Sequence, residues 1–242
     1  MAPVSGARIL TAGDGRLRVV PWRGDPTIAY LTPVRGHPTG AALQRALEQL
    51  PDAGYQAALT AALPVPDQRT YLQAGFEVHE RLHLLLRPVD PLPVVPAPPV
   101  DLRRGRHADR AGVIDADSAA FPAFWRLDLP GLEDALSATP SARLRVASAP
   151  GDRRVVAYAV TGRAGPRGYL QRLAVAPDQQ RHGVGAALVL DGLRWLRRWG
   201  AKEVLVNTQE ENERAVRLYE RLGFRLQREG LAVLRLPLDG TG

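Results

Sequence analysis

From residue 100 onward the apolar positions change their period repeatedly. Alternation with a period of two predicts strands at 100–104, 144–148, 155–161, 169–175 and 203–208. Apolar spacing of three to four predicts a helix or helix pair over 108–136 and helices over 183–199 and 213–222. Two last strands follow, near Arg225 and at 231–236. In the 183–199 helix, Val184, Leu188, Trp195, Leu196 and Trp199 share one face, as expected of core packing. This alternation predicts an α/β (α+β) fold, a mixed central sheet flanked by helices on both faces.

The N-terminal part repeats the second half of that pattern on a smaller scale. A helix led in by turn residues is predicted over 36–50, a strand over 55–63, a short helix over 67–73 and a strand over 76–86. Y-L-Q-A-G-F from Tyr71 to Phe76 echoes Y-E-R-L-G-F from Tyr219 to Phe224, 148 residues later. Coincidence is one account of six residues; the matching element order around them favours an internal duplication. The first copy has R-G-H-P-T-G where a G-x-G loop would stand, so it is expected to be structural or substrate-shaping rather than a second cofactor site. Between the copies, R-P-V-D-P-L-P-V-V-P-A-P-P-V carries six prolines and reads as a semi-rigid extended connector. The expected organisation is therefore a first half-domain at 1–87, a proline-rich linker at 88–99 and a catalytic domain at 100–242.

Composition narrows the chemistry. The 242 residues are 45% hydrophobic and 24% charged, ordinary for a soluble globular chain. There is no apolar run of the ~18–20 residues that a membrane helix needs, and residues 1–12 lack a signal pattern, so no membrane association and a cytoplasmic location are expected. Cysteine is absent, which excludes disulfides, thiolate metal ligands and a cysteine nucleophile. The net charge of +7 is almost all arginine, Lys202 being the only lysine. The arginines occur singly or in pairs without interleaved aromatics, so nucleic acid is not an expected partner. No feature of the sequence signals an oligomeric state.

The segment 170–186 carries the sharpest candidate chemistry. The strand is apolar apart from Gln171 and Arg172, Pro177 stops it, and Q-R-H-G-V-G-A follows: Gln180, Arg181, His182, Gly183, Val184, Gly185 and Ala186. Two glycines permit a tight turn, and the following helix offers free N–H groups and the positive end of its dipole to an anion. Arg181 and His182 add donors suited to a diphosphate. A bare G-x-G also suits a structural turn. The dinucleotide fingerprint fails because Leu188 stands at its third small position, and the triphosphate loop fails for want of G-K-S or G-K-T.

Together with N-x-x-A-x-x-L-Y-x-x-x-G-F at 212–224, the Q-x-x-G-x-G of 180–185 after the L-A-V strand resembles the GNAT superfamily of acetyl-coenzyme A-dependent acyltransferases. The N-terminal part resembles the degenerate half-domains of its tandem members. The resemblance implies a GNAT fold and acetyl-CoA as co-substrate, with no metal. Backbone groups of the strand Leu173, Ala174 and Val175, chiefly Leu173 and Val175, would bind the pantetheine arm, amides of 181–186 the pyrophosphate, and Asn212 the arm again. A backbone N–H near Val175 would stabilise the oxyanion, and Tyr219 would protonate the departing thiolate as general acid. Alone, Tyr219 beside Val216 and Leu222 reads as core. Ribosomal-protein alanine acetyltransferases of the superfamily use a glutamate five residues before the asparagine, where this chain has Asn207, which cannot accept a proton.

The expected function is N-acetylation of a primary amine on a small molecule or peptide. The alternatives are a protein N-terminal acetyltransferase, a mycothiol-synthase-like enzyme and a coenzyme A-binding sensor. Gln171, Glu210 and Glu211 could relay a proton through water, or be solvated polar groups. Asp115, Asp117, Asp128, Glu133 and Asp134 could recognise a cationic amine, although surface charge is the plainer reading. His79 and His83 would stand about 13 Å apart on a strand, too far for one ion. His107 and Asp109 look like a helix cap.

Overall fold

The computed structural model describes residues 8–12, 15–36, 38–98 and 100–238. The first seven residues, on which the absence of a leader was read, and His37 of the first copy's loop lie outside the described residues. In chain order the elements are β1 (Arg8–Ala12), β2 (Gly15–Trp22), β3 (Asp25–Arg35), α1 (Gly40–Leu47), β4 (Ala57–Thr60), β5 (Leu63–Pro64), α2 (Val65–Gln73) and β6 (Glu77–Pro88). There follow β7 (Asp101–Arg104), α3 (Arg110–Ala120), α4 (Leu129–Ser137), β8 (Ser141–Ser148), β9 (Val155–Ala164), β10 (Arg167–Val175), α5 (Val184–Arg198), β11 (Glu203–Gln209), α6 (Glu213–Arg221), β12 (Arg225–Leu226) and β13 (Leu231–Pro237).

The chain divides into two compact units, one of residues 1–83 with 228–242 and one of residues 84–227. In the first, the strand order is β1-β2-β3-β4-β13-β6, with β5 beside β13. Among the described residues of this unit, β3 and β4 are the parallel pair, from Ile28 opposite Ala57 to Leu31 opposite Thr60. Leu43 and Leu47 of α1, Tyr71 of α2, Leu17, Leu31 and Leu234 form its core. The three strands before Arg35 escape the period-two reading, because prolines at 21, 26 and 33 interrupt the alternation.

In the second unit the order is β6-β11-β10-β9-β8-β7, with β12 pairing to β6. The sheet is mixed: β10 and β11 are parallel, and β9 is antiparallel to both β10 and β8. One face carries α3 and α4 over Val146, Tyr158, Val160 and Ala174. The other is covered by Val184 and Leu188 of α5 over Ala157 and Ala159, and by α5 and α6 over Leu170, Val204 and Val206. The predicted helix pair is resolved into α3 and α4, separated by the turn 121–128, where Pro122 cannot continue a helix.

These units do not divide at the proline-rich run. The last strand, β13, pairs antiparallel with β4 and with the first half of β6, which carries it out of the expected 100–242 domain. The run itself is partly fastened to the second unit: Val89 donates to the Lys202 carbonyl at 2.9 Å, and Val89, Leu92 and Val95 join the core of Leu193, Leu196 and Phe224. Buried Arg87 donates to the carbonyls of Pro88, Leu222 and Pro91.

The duplication is visible in the elements. The β3–α1–β4–α2 series of the first unit repeats as β10–α5–β11–α6 in the second, and in each the two strands pair in parallel over four residues. Tyr71 meets Phe76 edge-on at 5.4 Å, as Tyr219 meets Phe224 at 5.6 Å. A second echo sits in the sequence at H-x-x-G-A-A-L, His37 to Leu43 and His182 to Leu188, where Ala42 and Leu43 occupy the same buried turn as Ala187 and Leu188.

Candidate active site

The site begins where two parallel strands part. The ladder between β10 and β11 ends at Leu170 opposite Val206, while β10 continues along β9 as far as Val175 opposite Ala157. Antiparallel residues face their partner strand with both backbone groups at every second position. Because the Ala176 N–H donates to the Val156 carbonyl at 2.8 Å, the residues turned toward β9 are Ala174 and Arg172. Those turned to the open side are Leu173 and Val175. Ala174, expected among the donor-binding residues, thus spends its backbone within the sheet. A register shift between Leu170 and Arg172 leaves Gln171 as an extra residue at the point of parting.

The open edge leads into the α5 N-terminus. Gly183 is its N-cap, with a left-handed φ of +79°, and Arg181 is also left-handed at +66°. No side chain caps the helix and no acidic residue stands in its first turn. The first intrahelical bond runs from Ala187 N–H to the Gly183 carbonyl at 3.0 Å, so the N–H groups of Val184, Gly185 and Ala186 have no helical acceptor. They supply donors and partial positive charge to an anion, with Arg181 and His182 exposed beside them. A Cβ on Gly185 would lie 3.4 Å from Leu218 Cδ2 and 3.6 Å from Val175 Cγ2, ordinary contact distances, at the place where α5, α6 and the end of β10 converge. Around Gly183 a Cβ would meet nothing, so the backbone conformation alone selects glycine there. Gly183→Ala is expected to cost about 1 kcal/mol in urea unfolding and to weaken binding of the acyl donor.

Two motif residues act on the protein itself. Gln180 Nε2 donates to the Val175 carbonyl at 2.8 Å, and its Oε1 accepts from Arg214 of α6, so the side chain ties loop, strand and helix together. Asn212 caps α6, its Oδ1 accepting from Ala215 N–H at 3.1 Å. Tyr219 follows on that helix, buried among Leu170, Val189 and Val206. Burial pushes its phenol well above the usual tyrosine range, so the proton is held firmly at neutral pH.

The remaining candidates separate. Glu210, Glu211 and Asn207 are exposed at the end of β11. Gln171 is half-buried against Gly162, its Oε1 without a partner among the described residues. Asp115 is exposed, Asp128 caps α4 through Gly131 N–H at 2.8 Å, and Glu133 pairs with Arg110 at 2.6 Å. Asp109 accepts from Arg106 N–H at 2.7 Å and pairs with Arg103. His79 is exposed and His83 half-buried on β6; among the described residues no group of three or more His, Cys, Asp or Glu could hold a metal.

Asp117 corrects the surface-charge reading. It is fully buried, and its carboxylate accepts from Tyr158 Oη at 2.5 Å, Leu127 N–H at 2.7 Å, and Arg172 Nε and Nη2 at 2.8 and 2.9 Å. Arg172 also donates to the Trp125 carbonyl at 2.6 Å and stacks 3.5 Å over Phe121. Arginine within a strand otherwise apolar was the available signal, since a buried cation demands a counter-ion. The carboxylate was not distinguishable from its neighbours on a helix of mixed polarity.

A strand pair that parts beside an uncapped helix start, faced by a tyrosine helix, gives an α/β unit whose open backbone edge leads to a helix terminus suited to an anion. Residues 111–224 match the model of the acetyltransferase (GNAT) family, so this stretch of the chain belongs to the GNAT superfamily. A stretch of 64 residues is 48% identical to a mycothiol acetyltransferase of Parafrankia sp. (strain EAN1pec), covering 26% of this chain and 20% of that protein. Over 76 residues the chain is 36% identical to N-alpha-acetyltransferase 30 of Schizosaccharomyces pombe, covering 31% of this chain and 48% of the relative. The matched stretch thus spans about a fifth of the length of the mycothiol acetyltransferase. Among solved structures, a tandem GNAT protein from the clavulanic acid biosynthesis pathway superposes with a TM-score of 0.68 at 13% identity, over 94% of this chain and 80% of that one. A GCN5-related N-acetyltransferase from Kribbella flavida gives 0.62 at 16% identity, over 97% and 90%. The mixed sheet with helices on both faces is the GNAT fold, and the two-part arrangement is that of tandem GNAT proteins. Among the described residues no helix is long and apolar enough to cross a membrane.

Proposed function

We propose that the chain is an N-acetyltransferase that moves an acetyl group from acetyl-CoA to a primary amine of a small molecule or peptide by direct attack in a ternary complex. The observation that carries this reading is the open backbone edge of Leu173 and Val175, running into the free amides of the α5 N-terminus. The residues fit the donor: the strand edge offers N–H and C=O groups to the amide-bearing arm, and the amides of 181–186 with Arg181 and His182 suit the pyrophosphate. Gln180 takes up the Val175 carbonyl, so the Val175 N–H is the group left to stabilise an oxyanion. When bound, acetyl-CoA supplies the thioester carbon that the amine attacks. Tyr219 would give its proton to the departing sulfur, the proton lost by the attacking nitrogen would pass to water, and water would return one to the phenolate, while Asn212 with Gln180 keeps helix and loop in place.

Local similarity to mycothiol acetyltransferases favours a small-molecule acceptor; similarity to N-alpha-acetyltransferase 30 supports a peptide amino terminus as the second reading. The test is acetyl-CoA consumption over a panel of small amines and N-terminal peptides. Turnover of an amine that falls with Tyr219→Phe supports the enzyme. Coenzyme A binding with every amine inert overturns it in favour of a coenzyme A-binding sensor.

A further inference from the structure

Three arginines share the α5 face of β7 and β8, and two of them meet one aspartate. Arg104 on β7 stands directly opposite Arg145 on β8, and Arg143, two residues along β8, shares that face. Asp191 of α5 receives both β8 arginines on a single oxygen: Arg143 Nη2 lies 2.9 Å and Arg145 Nε 3.0 Å from Oδ2. Neither Arg145 Nε nor Asp191 Oδ2 makes a well-formed hydrogen bond, though both atoms are buried. Arg145 spends one further donor on the Leu102 carbonyl at 3.1 Å. Side-chain exposures of 23% for Arg143, 16% for Arg145 and 19% for Asp191 keep the cluster reachable from solvent. Asp191 lies seven residues beyond the first residue of α5, about 10 Å along the axis, which separates the cluster from the helix N-terminus.

Like charges directly opposite on neighbouring strands destabilise a sheet. Burial, and then the charges of Arg145 and Arg104, depress the Arg143 pKa against the pull of Asp191. Three guanidiniums on this face against one carboxylate leave two positive charges uncompensated, and planar forks hold tetrahedral oxyanions through paired N–H donors. We propose that Arg104, Arg143 and Arg145 form a binding site for a phosphoryl dianion, either free phosphate or the phosphate of a small ester, distinct from the proposed acyl-donor cradle. A phosphate carries roughly −1.5 to −2 at pH 7, which matches the excess charge; a monocarboxylate would neutralise half of it.

The arginine Nε–Hε resonances of the full-length protein report on the site directly, with Arg145→Gln assigning the Arg145 signal. Titration with inorganic phosphate, and separately with methyl phosphate, is expected to shift that resonance saturably, whereas chloride at equal ionic strength does not. The tighter of the two probes identifies the source of the phosphate. Arg143→Gln is expected to weaken binding by about tenfold or more, and so is Arg104→Gln at an exposed position that spares the fold. Asp191→Asn should tighten it several-fold by removing the competing carboxylate, whereas a general packing defect would weaken it. A response that does not saturate, or an affinity unchanged in both Arg104→Gln and Arg143→Gln, overturns the assignment.

Discussion

Tyr219→Phe is expected to lower kcat of the proposed acetyl transfer by about 10²-fold or more while leaving KM for acetyl-CoA within about twofold, because loss of a positioned acid falls on the transition state. The ring would keep its place against Phe224 and within the α5–α6 core. Among the described residues none hydrogen-bonds its hydroxyl, so the melting temperature should hardly move and lost activity cannot be ascribed to unfolding. The pH dependence has a definite sign. Burial raises the folded-state pKa of Tyr219 above the ordinary value of 10.0. The phenol therefore stays protonated throughout the neutral range, and kcat should show no alkaline loss from this group below pH about 10. By linkage, the stability contributed by the neutral buried phenol is complete below that pH and is lost as the pH rises toward the elevated folded value. Unfolding by urea across pH 8–11 would show a shallower alkaline decline in the phenylalanine variant. A kcat equal to that of the parent, measured at saturating amine, would remove Tyr219 from the chemistry.

Most of the second unit was legible because its signals are local. Gly183 and Gly185, Pro177 and the apolar periods of β10 and α5 act within a few residues, and each does locally what its type requires. Asn212 and Tyr219 were legible only as a pattern on one helix. Their packing shows that the asparagine serves first as the α6 cap, a duty that spacing does not distinguish from ligand binding. What escaped depends on partners distant in sequence. β13 lies beside β4 and β6, a pairing its own alternating residues do not specify, so the division at the prolines came out differently. Arg104 and Arg145 look like scattered basic residues until the register of β7 and β8 sets them opposite each other. The H-x-x-G-A-A-L echo is present in the sequence but rests on small apolar residues, which are too common in helices to mark a shared turn by themselves. Those residues pack the helix start onto the sheet in both copies.

Asp117→Ala should produce the largest loss of stability among single substitutions in the second unit, about 3–5 kcal/mol in urea unfolding, the range for removing one partner of a buried ion pair. The pair itself is not the main reason for the loss. Asp117 is fully buried and accepts four hydrogen bonds, so truncation strands Tyr158 Oη, Leu127 N–H and the Arg172 guanidinium at once. Stranded donors cost their full desolvation. Arg172→Ala should cost less than Asp117→Ala, since the carboxylate would keep Tyr158 and Leu127. The double variant should then cost clearly less than the two single losses combined, because each single change leaves the other charge unpaired. Tyr158→Phe, which removes one of the four bonds, should cost about 1 kcal/mol. The consequence reaches the site through β10. Arg172 is flanked by the extra residue Gln171 and by Leu173 of the open edge, and its side chain anchors this stretch to α3 and to the turn at Trp125. Arg172→Ala, assayed well below its unfolding temperature, should therefore raise KM for acetyl-CoA more than it lowers kcat, the reverse of the Tyr219→Phe pattern. Equal effects of Arg172→Ala and Tyr219→Phe on both constants would show that this pair stabilises the fold without positioning the strand edge.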